Sequence, residues 1–134
     1  MRSLTIQPRI SPAEFHLLAD LVQVDIPPEF MLFMQCYAGG SVEENKFVAS
    51  DGAVWEIAHF INFSLMYDLT EESIAEGYSA KIPFAVDSGG WPYRVELRPN
   101  KETLVFIDRR TDGFMPRYVK LADSFAEFVD GLNP

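Results

Sequence analysis

The chain has 134 residues, 48% of them hydrophobic, and its 11 lysines and arginines against 20 aspartates and glutamates give a formal net charge of −9. A chain of this length buries roughly two-thirds of its unfolded surface in one core. We therefore expect a single domain over residues 1–134 that needs neither disulfides nor a structural metal.

Cysteine and hydrophobicity patterns exclude two further classes of protein. Cys36, the single cysteine, cannot form an intrachain disulfide, and its apolar neighbours predict a buried thiol in a reducing compartment, hence a cytoplasmic protein. The longest uncharged stretch, residues 30–42, is shorter than the roughly 18 apolar residues of a membrane-spanning helix. Residues 1–10 hold no apolar block of signal-peptide length, so neither membrane insertion nor secretion is expected.

The negative charge is concentrated in the first part of the chain. Residues 1–80 carry three bases and twelve acids, whereas residues 81–134 carry eight of each, and Lys46 is the single base between Glu14 and Ala80. A negative field speeds the approach of a basic partner and repels phosphate. With a pI near 4.6, direct nucleic-acid binding is not expected. The alternative is that the charge only keeps the protein soluble.

Two helices are predicted first along the chain. Residues 11–14 (SPAE) have the form of a capping box, followed by a helix to about Val22 whose leucines and valine at 17, 18, 21 and 22 would face the core. Residues 26–29 (IPPE) open a second helix with apolar positions 30, 33, 34 and 37, which ends at the glycines 39 and 40.

Strands dominate the rest of the sequence. Residues 46–49 and 54–57 predict a hairpin, residues 58–69 are ambiguous with a strand favoured at their start, and residues 70–76 predict a short acidic helix. Further strands are predicted at residues 81–86, 92–97, 104–108 and 118–121, the last two separated by an Asp112-Gly113 turn. In residues 92–97, Tyr93, Val95 and Leu97 alternate with Arg94, Glu96 and the following Arg98, which predicts one buried and one solvated face.

A last helix completes the pattern. Ser124 is its predicted N-cap, with Glu127 three residues later and an apolar stripe at residues 125, 128, 129 and 132 up to the end of the chain. Because parallel crossovers need helices between successive strands, this order predicts an α+β fold: a mainly antiparallel sheet packed with N-terminal helices and a C-terminal helix.

Three segments resemble the SUKH superfamily, which includes fungal cell-wall-assembly regulators of the Smi/Knr type and many bacterial immunity proteins. They are residues 26–40 (IPPEF to YAGG), 82–90 (IPFAVDSGG) and 121–129 (LADSFAEFV). The chain departs from the pattern at Tyr37-Ala38, where Tyr-Asn is usual, and in the charged stretch 109–117. The resemblance implies the fold and, for bacterial members, a role as the protein that binds and neutralises a toxin, often a nuclease.

Residue types that carry catalysis are sparse, so no catalytic residue, metal or cofactor is expected. His16 and His59 lack metal-ligand spacing, and we expect His16 to be half-exposed and His59 to be hydrogen-bonded in or beside the core. Cys36 lacks the electropositive surroundings of a reactive thiolate. The carboxylate pairs Glu43 with Glu44, Glu71 with Glu72 and Asp51 with Glu56 leave a two-carboxylate hydrolase as a remote alternative.

Aromatic and acidic residues instead predict a protein-binding surface. Trp55, Trp91 and Tyr93 would be its anchors, with Trp55 alternatively a core residue. The acidic rim would comprise Glu43, Glu44, Asp51, Glu71, Glu72 and Asp87. The bases Arg94, Arg98, Arg109, Arg110 and Arg117 either pair with the N-terminal acids or form a separate positive patch.

The leading interpretation is a non-enzymatic cytoplasmic immunity protein that covers a basic toxin domain, for which a nuclease is one candidate. The alternative is a regulatory or scaffolding module in cell-wall assembly and cell proliferation. Gene neighbourhood separates the two, because an adjacent toxin gene favours the first and a wall-synthesis operon favours the second. The sequence predicts no oligomeric state.

Overall fold

A computed structural model of the protein describes residues 9–77, 81–98, 102–109 and 118–134. The elements formed by these residues are, in chain order, α1 (Pro12–Val22), α2 (Pro28–Tyr37), β1 (Lys46–Val48), β2 (Val54–Glu56), β3 (His59–Phe60), α3 (Phe63–Ala75), β4 (Lys81–Val86), β5 (Pro92–Leu97), β6 (Thr103–Asp108), β7 (Tyr118–Ala122), α4 (Phe125–Asp130) and β8 (Leu132–Asn133). The predicted Asp112-Gly113 turn lies outside the described residues.

Helix α1 begins as predicted, and two of the four positions expected in the core, Leu18 and Val22, are buried. The Ser11 hydroxyl accepts a hydrogen bond from the Glu14 N–H (3.2 Å), and the Glu14 carboxylate accepts one from the Ser11 N–H (2.9 Å), so the capping box is confirmed. The buried positions are Phe15, Leu18 and Val22, spaced i, i+3, i+7. Leu17 was expected in the core but is 54% exposed, because it lies roughly 100° around the helix from Leu18.

The strands form two antiparallel sheets, which confirms the α+β class. The smaller sheet has the order β2-β1-β8, and the larger has the order β3-β4-β5-β6-β7. Helix α3 packs on β4, whereas α4 packs on β6 and β7. Every residue of β4 is buried, so this strand is covered on both faces. Within the described residues, no helix is both long and apolar enough to cross a bilayer.

Two predicted element boundaries are wrong. Helix α3 begins at Phe63 rather than at Thr70, because the Asn62 side chain caps it by accepting a hydrogen bond from the Leu65 N–H (3.0 Å). The last helix ends at Asp130 instead of continuing to the end of the chain, and Leu132 pairs with Phe47 in the smaller sheet. The terminal apolar residue therefore completes a sheet edge.

The prediction of a solvated face on β5 is also wrong at its most polar position. Arg94 and Asp108 are both fully buried, and the Arg94 Nε lies 3.0 Å from an Asp108 carboxylate oxygen. The Arg94 guanidinium also donates to the Lys81 carbonyl (3.0 Å) and lies 3.5 Å from the Leu69 carbonyl of α3. Because α3 covers this face of the sheet, the arginine is held inside the protein by an ion pair and by backbone carbonyls.

An aromatic cluster fills the core between the helices and the sheets. The Phe125 ring lies 5.0 Å from Phe30 and 5.2 Å from Phe84, both in edge-to-face geometry. Phe128 stacks on Phe47 at 4.7 Å, which ties α4 to the smaller sheet. Each such pair contributes about 0.5–1.5 kcal/mol beyond its buried area, so α2, α4 and both sheets are fixed to one another.

Candidate functional site

The turn between β4 and β5 positions the tryptophan predicted as a binding anchor. One Asp87 carboxylate oxygen accepts hydrogen bonds from the N–H groups of Gly89 (2.9 Å) and Trp91 (2.8 Å). Gly90 has φ +86°, a backbone conformation that glycine adopts at little cost. The turn is therefore held by its own side chain, and it presents the half-buried Trp91 at the start of β5.

A basic residue packs on this tryptophan. The Arg109 guanidinium carbon lies 5.5 Å from the centroid of the Trp91 ring, in a cation–π contact. The register of the sheet explains the contact, because Tyr93 of β5 pairs with Ile107 of β6. Trp91 lies two positions before Tyr93 and Arg109 lies two positions after Ile107, so the two side chains meet across the strands. From the sequence Arg109 is predicted only as one of a group of bases, and the β5–β6 register is the signal that identifies its partner.

Acidic residues lie at the same end of the larger sheet. The Ile57 N–H donates to the Asn45 carbonyl and the Ala58 N–H donates to the Val86 carbonyl, both at 2.8 Å. These bonds bring the segment after Glu44, the end of β2 and the β4–β5 turn together. We define the turn surface as the side chains of this end of the molecule: Glu43, Glu44, Glu56, Asp87 and Trp91.

Tyr93 belongs to the core and not to this surface, so its predicted role as an exposed anchor does not hold. Its side chain is 0% exposed, and its hydroxyl donates a hydrogen bond to the Glu56 carbonyl. Burial, together with the nearby carboxylates of Asp87 and Glu56, raises the pKa of Tyr93 far above its usual range. The residue joins β5 to β2 beneath the turn surface.

Trp55 is partly buried, which is intermediate between the two predicted alternatives, a binding anchor and a core residue. It lies on β2 opposite Phe47 and packs against the core, and its Nε1 is buried with no hydrogen-bond partner among the described residues. The other side of this hairpin exposes Val48 (52%) and Val54 (60%). Trp55 therefore supports the small sheet more than it offers area to a partner.

The remaining acids of the predicted rim are scattered. Asp51 is exposed at the β1–β2 turn, where its carboxylate accepts the Ala53 N–H (2.9 Å), at the opposite end of the hairpin from Glu56. Glu71 and Glu72 are exposed on α3 just after Leu69, whose carbonyl faces Arg94 near the start of β4. Asp87 follows the other end of β4, roughly 20 Å away at the usual rise per residue. The six acids thus form no single rim.

Four bases of the second part of the chain pair with acids of that same part. The ion pairs join Lys81 to Glu96 (3.6 Å), Arg94 to Asp108 (3.0 Å), Arg98 to Glu96 (3.2 Å) and Glu102 (3.7 Å), and Lys120 to Asp123. Among the residues that the structure describes, each of these pairs joins a base to an acid of residues 81–134. Arg110 and Arg117 lie outside the described residues.

Three expectations about reactive side chains can be compared with the structure. Cys36 is exposed, contrary to prediction, because the buried face of α2 is formed by Phe30 and Met34 on the opposite side of the helix. His59 is exposed on β3, where the alternation of the strand buries Phe60 instead, and His16 is exposed on α1. In the part of the chain that the structure describes, no group of three or more His, Cys, Asp or Glu residues could hold a metal ion.

Together, the fold and the turn surface define a small α+β protein with an aromatic and acidic patch at the end of its main sheet. The chain belongs to the SMI1 / KNR4 family (SUKH-1), whose family model matches residues 9–131. This match confirms the resemblance carried by the three sequence segments. Comparisons with curated proteins and with solved structures found no match.

Proposed function

We propose that this chain is a cytoplasmic, non-enzymatic protein-binding module, and that it acts as an immunity protein by covering a basic toxin domain such as a nuclease. Membership of the SMI1 / KNR4 family supports the proposal, because the SUKH superfamily includes bacterial immunity proteins. The observation that carries it is the turn surface, where carboxylates lie beside the half-buried Trp91, while four bases of residues 81–134 pair with acids of the same part of the chain.

Electrostatics and packing have different roles in this proposal. Carboxylates at the turn surface, among them Glu43 and Glu44, attract a basic surface from a distance and raise the association rate. Trp91 supplies the contact that is desolvated once the partner has arrived, since half-buried aromatic residues are typical centres of binding energy. The partner is then blocked sterically, and no bond is made or broken by this chain.

The test starts from toxin domains encoded next to the gene for this chain. A cognate toxin should stop growth when expressed alone and permit growth when co-expressed with the chain. Purified, the two should associate more slowly as salt rises from about 0.1 M to about 1 M, because the screening length falls from about 10 Å to about 3 Å. An association rate that does not change over this range would remove the steering role of the acids.

Two matched pairs of substitutions locate the surface. Glu43→Gln with Glu44→Gln should slow association more than Glu71→Gln with Glu72→Gln, although both pairs remove two negative charges. Trp91→Ala should weaken binding by about 30-fold, the equivalent of about 2 kcal/mol, with Leu17→Ala as the control on another exposed apolar residue. If all these variants protect and bind like the parent chain, the turn surface is not the interface.

Family membership also supports a second candidate, a regulatory or scaffolding module in cell-wall assembly, because the SUKH superfamily includes fungal cell-wall-assembly regulators. It predicts a housekeeping partner and no adjacent toxin gene. Deleting the gene should then alter sensitivity to wall-active agents without exposing the cell to a toxin. Protection from a neighbouring toxin, measured by growth, decides against this candidate.

A further inference from the structure

We propose that the groove between α1 and α2 is a second binding site, and that it takes an amphipathic helix of a protein partner with basic residues at one end. The inference concerns a surface separate from the turn surface and does not rest on the toxin proposal. It depends on the shape of the groove, on the apolar side chains that line it and on the charges at its two ends.

The groove exists because each helix packs on the body of the protein instead of on its neighbour. Helix α1 packs against α3, while α2 inserts Phe30 into the aromatic cluster next to the sheet. Between them remains a concavity of about 590 Å³, floored by the buried Phe15 and Ile26. Two antiparallel helices thus form the walls of an open channel.

The walls present side chains at helical spacing. Helix α1 contributes His16 and Ala19, and α2 contributes Met31, Leu32 and Gln35. Leu32 is 64% exposed, the highest exposure among the large apolar side chains that the structure describes. A helix laid in such a groove buries an apolar stripe at i, i+3, i+4 and i+7. Methionine adapts to partners of different shape.

One end of the groove is acidic. Between Arg9 and Lys46 the chain contains no lysine or arginine, while Asp20, Asp25 and Glu29 are all exposed where α1 ends and α2 begins. The carbonyl end of α1 has no base in its last turn and adds about half a negative charge. The amino end of α2 contributes about half a positive charge there, which three carboxylates outweigh.

The other end of the groove is less acidic, because one base, Arg9, lies there with one acid, Glu14 of the first turn of α1. The Arg9 guanidinium donates to the Ala38 carbonyl at the end of α2 (3.0 Å). The groove is therefore polarised along its length. A partner helix with lysine or arginine at one end and an apolar stripe matches this polarity, and a helix with acids at that end would be repelled.

Two other occupants fit less well. A second copy of this chain offers no basic helix, because the four helices that the structure describes contain no lysine or arginine. A small apolar ligand prefers a site that encloses most of its surface, whereas this groove is bordered by the exposed Leu32 and His16. Dimerisation through the groove is a measurable outcome of the test below.

The test uses synthetic peptides of about 16 residues, long enough to form a helix on binding. The first has an apolar stripe at i, i+3, i+4 and i+7 and lysines in one terminal turn. The second has the same composition with the stripe scrambled, and the third has glutamates in place of lysines. We expect the first to bind at least about tenfold more tightly than the others in fluorescence anisotropy, with amide NMR shifts confined to α1, α2 and their connection.

Matched variants assign the binding to the groove. Leu32→Gln should weaken the first peptide by about fivefold to tenfold, whereas Leu17→Gln, an equally conservative change outside the lining, should leave it unchanged. Asp25→Asn should weaken it by about twofold to threefold at low salt and by nothing at about 1 M salt. Glu71→Gln, on α3, controls for the loss of one charge.

Several results would overturn the inference. Equal binding of the amphipathic and scrambled peptides would mean unspecific attraction between opposite charges. Retention of full affinity by Leu32→Gln would place the peptide elsewhere, and concentration-dependent dimerisation abolished by Leu32→Gln would assign the groove to a second copy. Because no toxin enters these experiments, their failure leaves the proposed function standing, and failure of toxin protection leaves the peptide result standing.

Discussion

The larger sheet and the amino-terminal half of the molecule differ in which side chains they bury and which they expose to solvent. The sheet buries an ion pair completely, since Arg94 and Asp108 are both 0% exposed. The amino-terminal half leaves large apolar residues in water, among them Leu17 (54%), Leu32 (64%) and Val54 (60%). Burying charge opposes stability unless the charge is paired, and exposing apolar area adds nothing to stability. In the sheet the ion pair is covered by α3, and for Leu32 in the groove we infer a partner.

The strongest way to break this contrast is to remove one half of the buried ion pair. Asp108→Ala leaves the Arg94 guanidinium buried without its carboxylate, because the helix above it prevents solvation. We expect the free energy of unfolding to fall by about 3–5 kcal/mol, measured by urea denaturation. Glu102→Gln, which affects an ion pair with the half-exposed Arg98, should cost at most about 1 kcal/mol.

A double substitution sharpens this test. Arg94→Met with Asp108→Leu removes both charges and keeps apolar volume, so it should recover most of the stability that Asp108→Ala loses. Recovery would show that the uncompensated charge is the cause of the loss. If Asp108→Ala costs no more than Glu102→Gln, water reaches Arg94 and the sheet is not sealed by α3.

The β4–β5 turn offers two adjacent glycines with opposite expectations. Gly90→Ala forces a side chain into φ +86° and should cost about 1–2 kcal/mol, although the space around it is open. Gly89→Ala has no such φ, and its new methyl group would meet the Asp87 carboxylate at an ordinary contact distance of 3.4 Å. Equal costs for the two variants in thermal unfolding would contradict the turn geometry on which the position of Trp91 depends.

A smaller effect is expected from Tyr93 at alkaline pH. The folded protein holds the pKa of Tyr93 above its unfolded value, so between the two values the unfolded chain loses the phenol proton first. Stability is thus complete below pH 10 and falls as the pH rises above it, by about 1 kcal/mol at pH 11. Tyr93→Phe should make the urea midpoint less sensitive to pH in this range, and an unchanged slope would contradict the burial of the phenol.

The sequence predicts most local structure here because its signals are local. Ser11 and Ser124 cap helices through hydrogen bonds to residues three positions away, and both caps are confirmed. The start of α3 was missed because residues 58–69 are apolar at both strand and helix spacing. The strand β8 was missed because the residues that pair with it, Lys46 and Phe47, are far away along the chain.

Predictions about the candidate site were wrong where they depended on which element packs against a given face of a strand or helix. The alternation in β5 correctly separates Tyr93 from Arg94, but it cannot show that α3 covers the polar side. Apolar neighbours in sequence suggested a buried Cys36, whereas a helix turns adjacent residues about 100° apart. The contact of Arg109 with Trp91 needs the strand register. Which element covers a face, and which residues pair across strands, depend on residues far apart in the chain. Local patterns in one sequence therefore do not predict them.

The smallest expected effect is the most direct test of why apolar residues are exposed. Leu32→Gln and Leu17→Gln should each change the free energy of unfolding by less than about 0.5 kcal/mol, because both side chains already contact water and glutamine keeps good helix propensity. Leu18→Gln, next to Leu17 but 0% exposed, should cost several times more. If Leu32→Gln is nearly neutral for folding and still weakens peptide binding, Leu32 is an interaction residue; a large loss of stability would place it in the core and remove the groove.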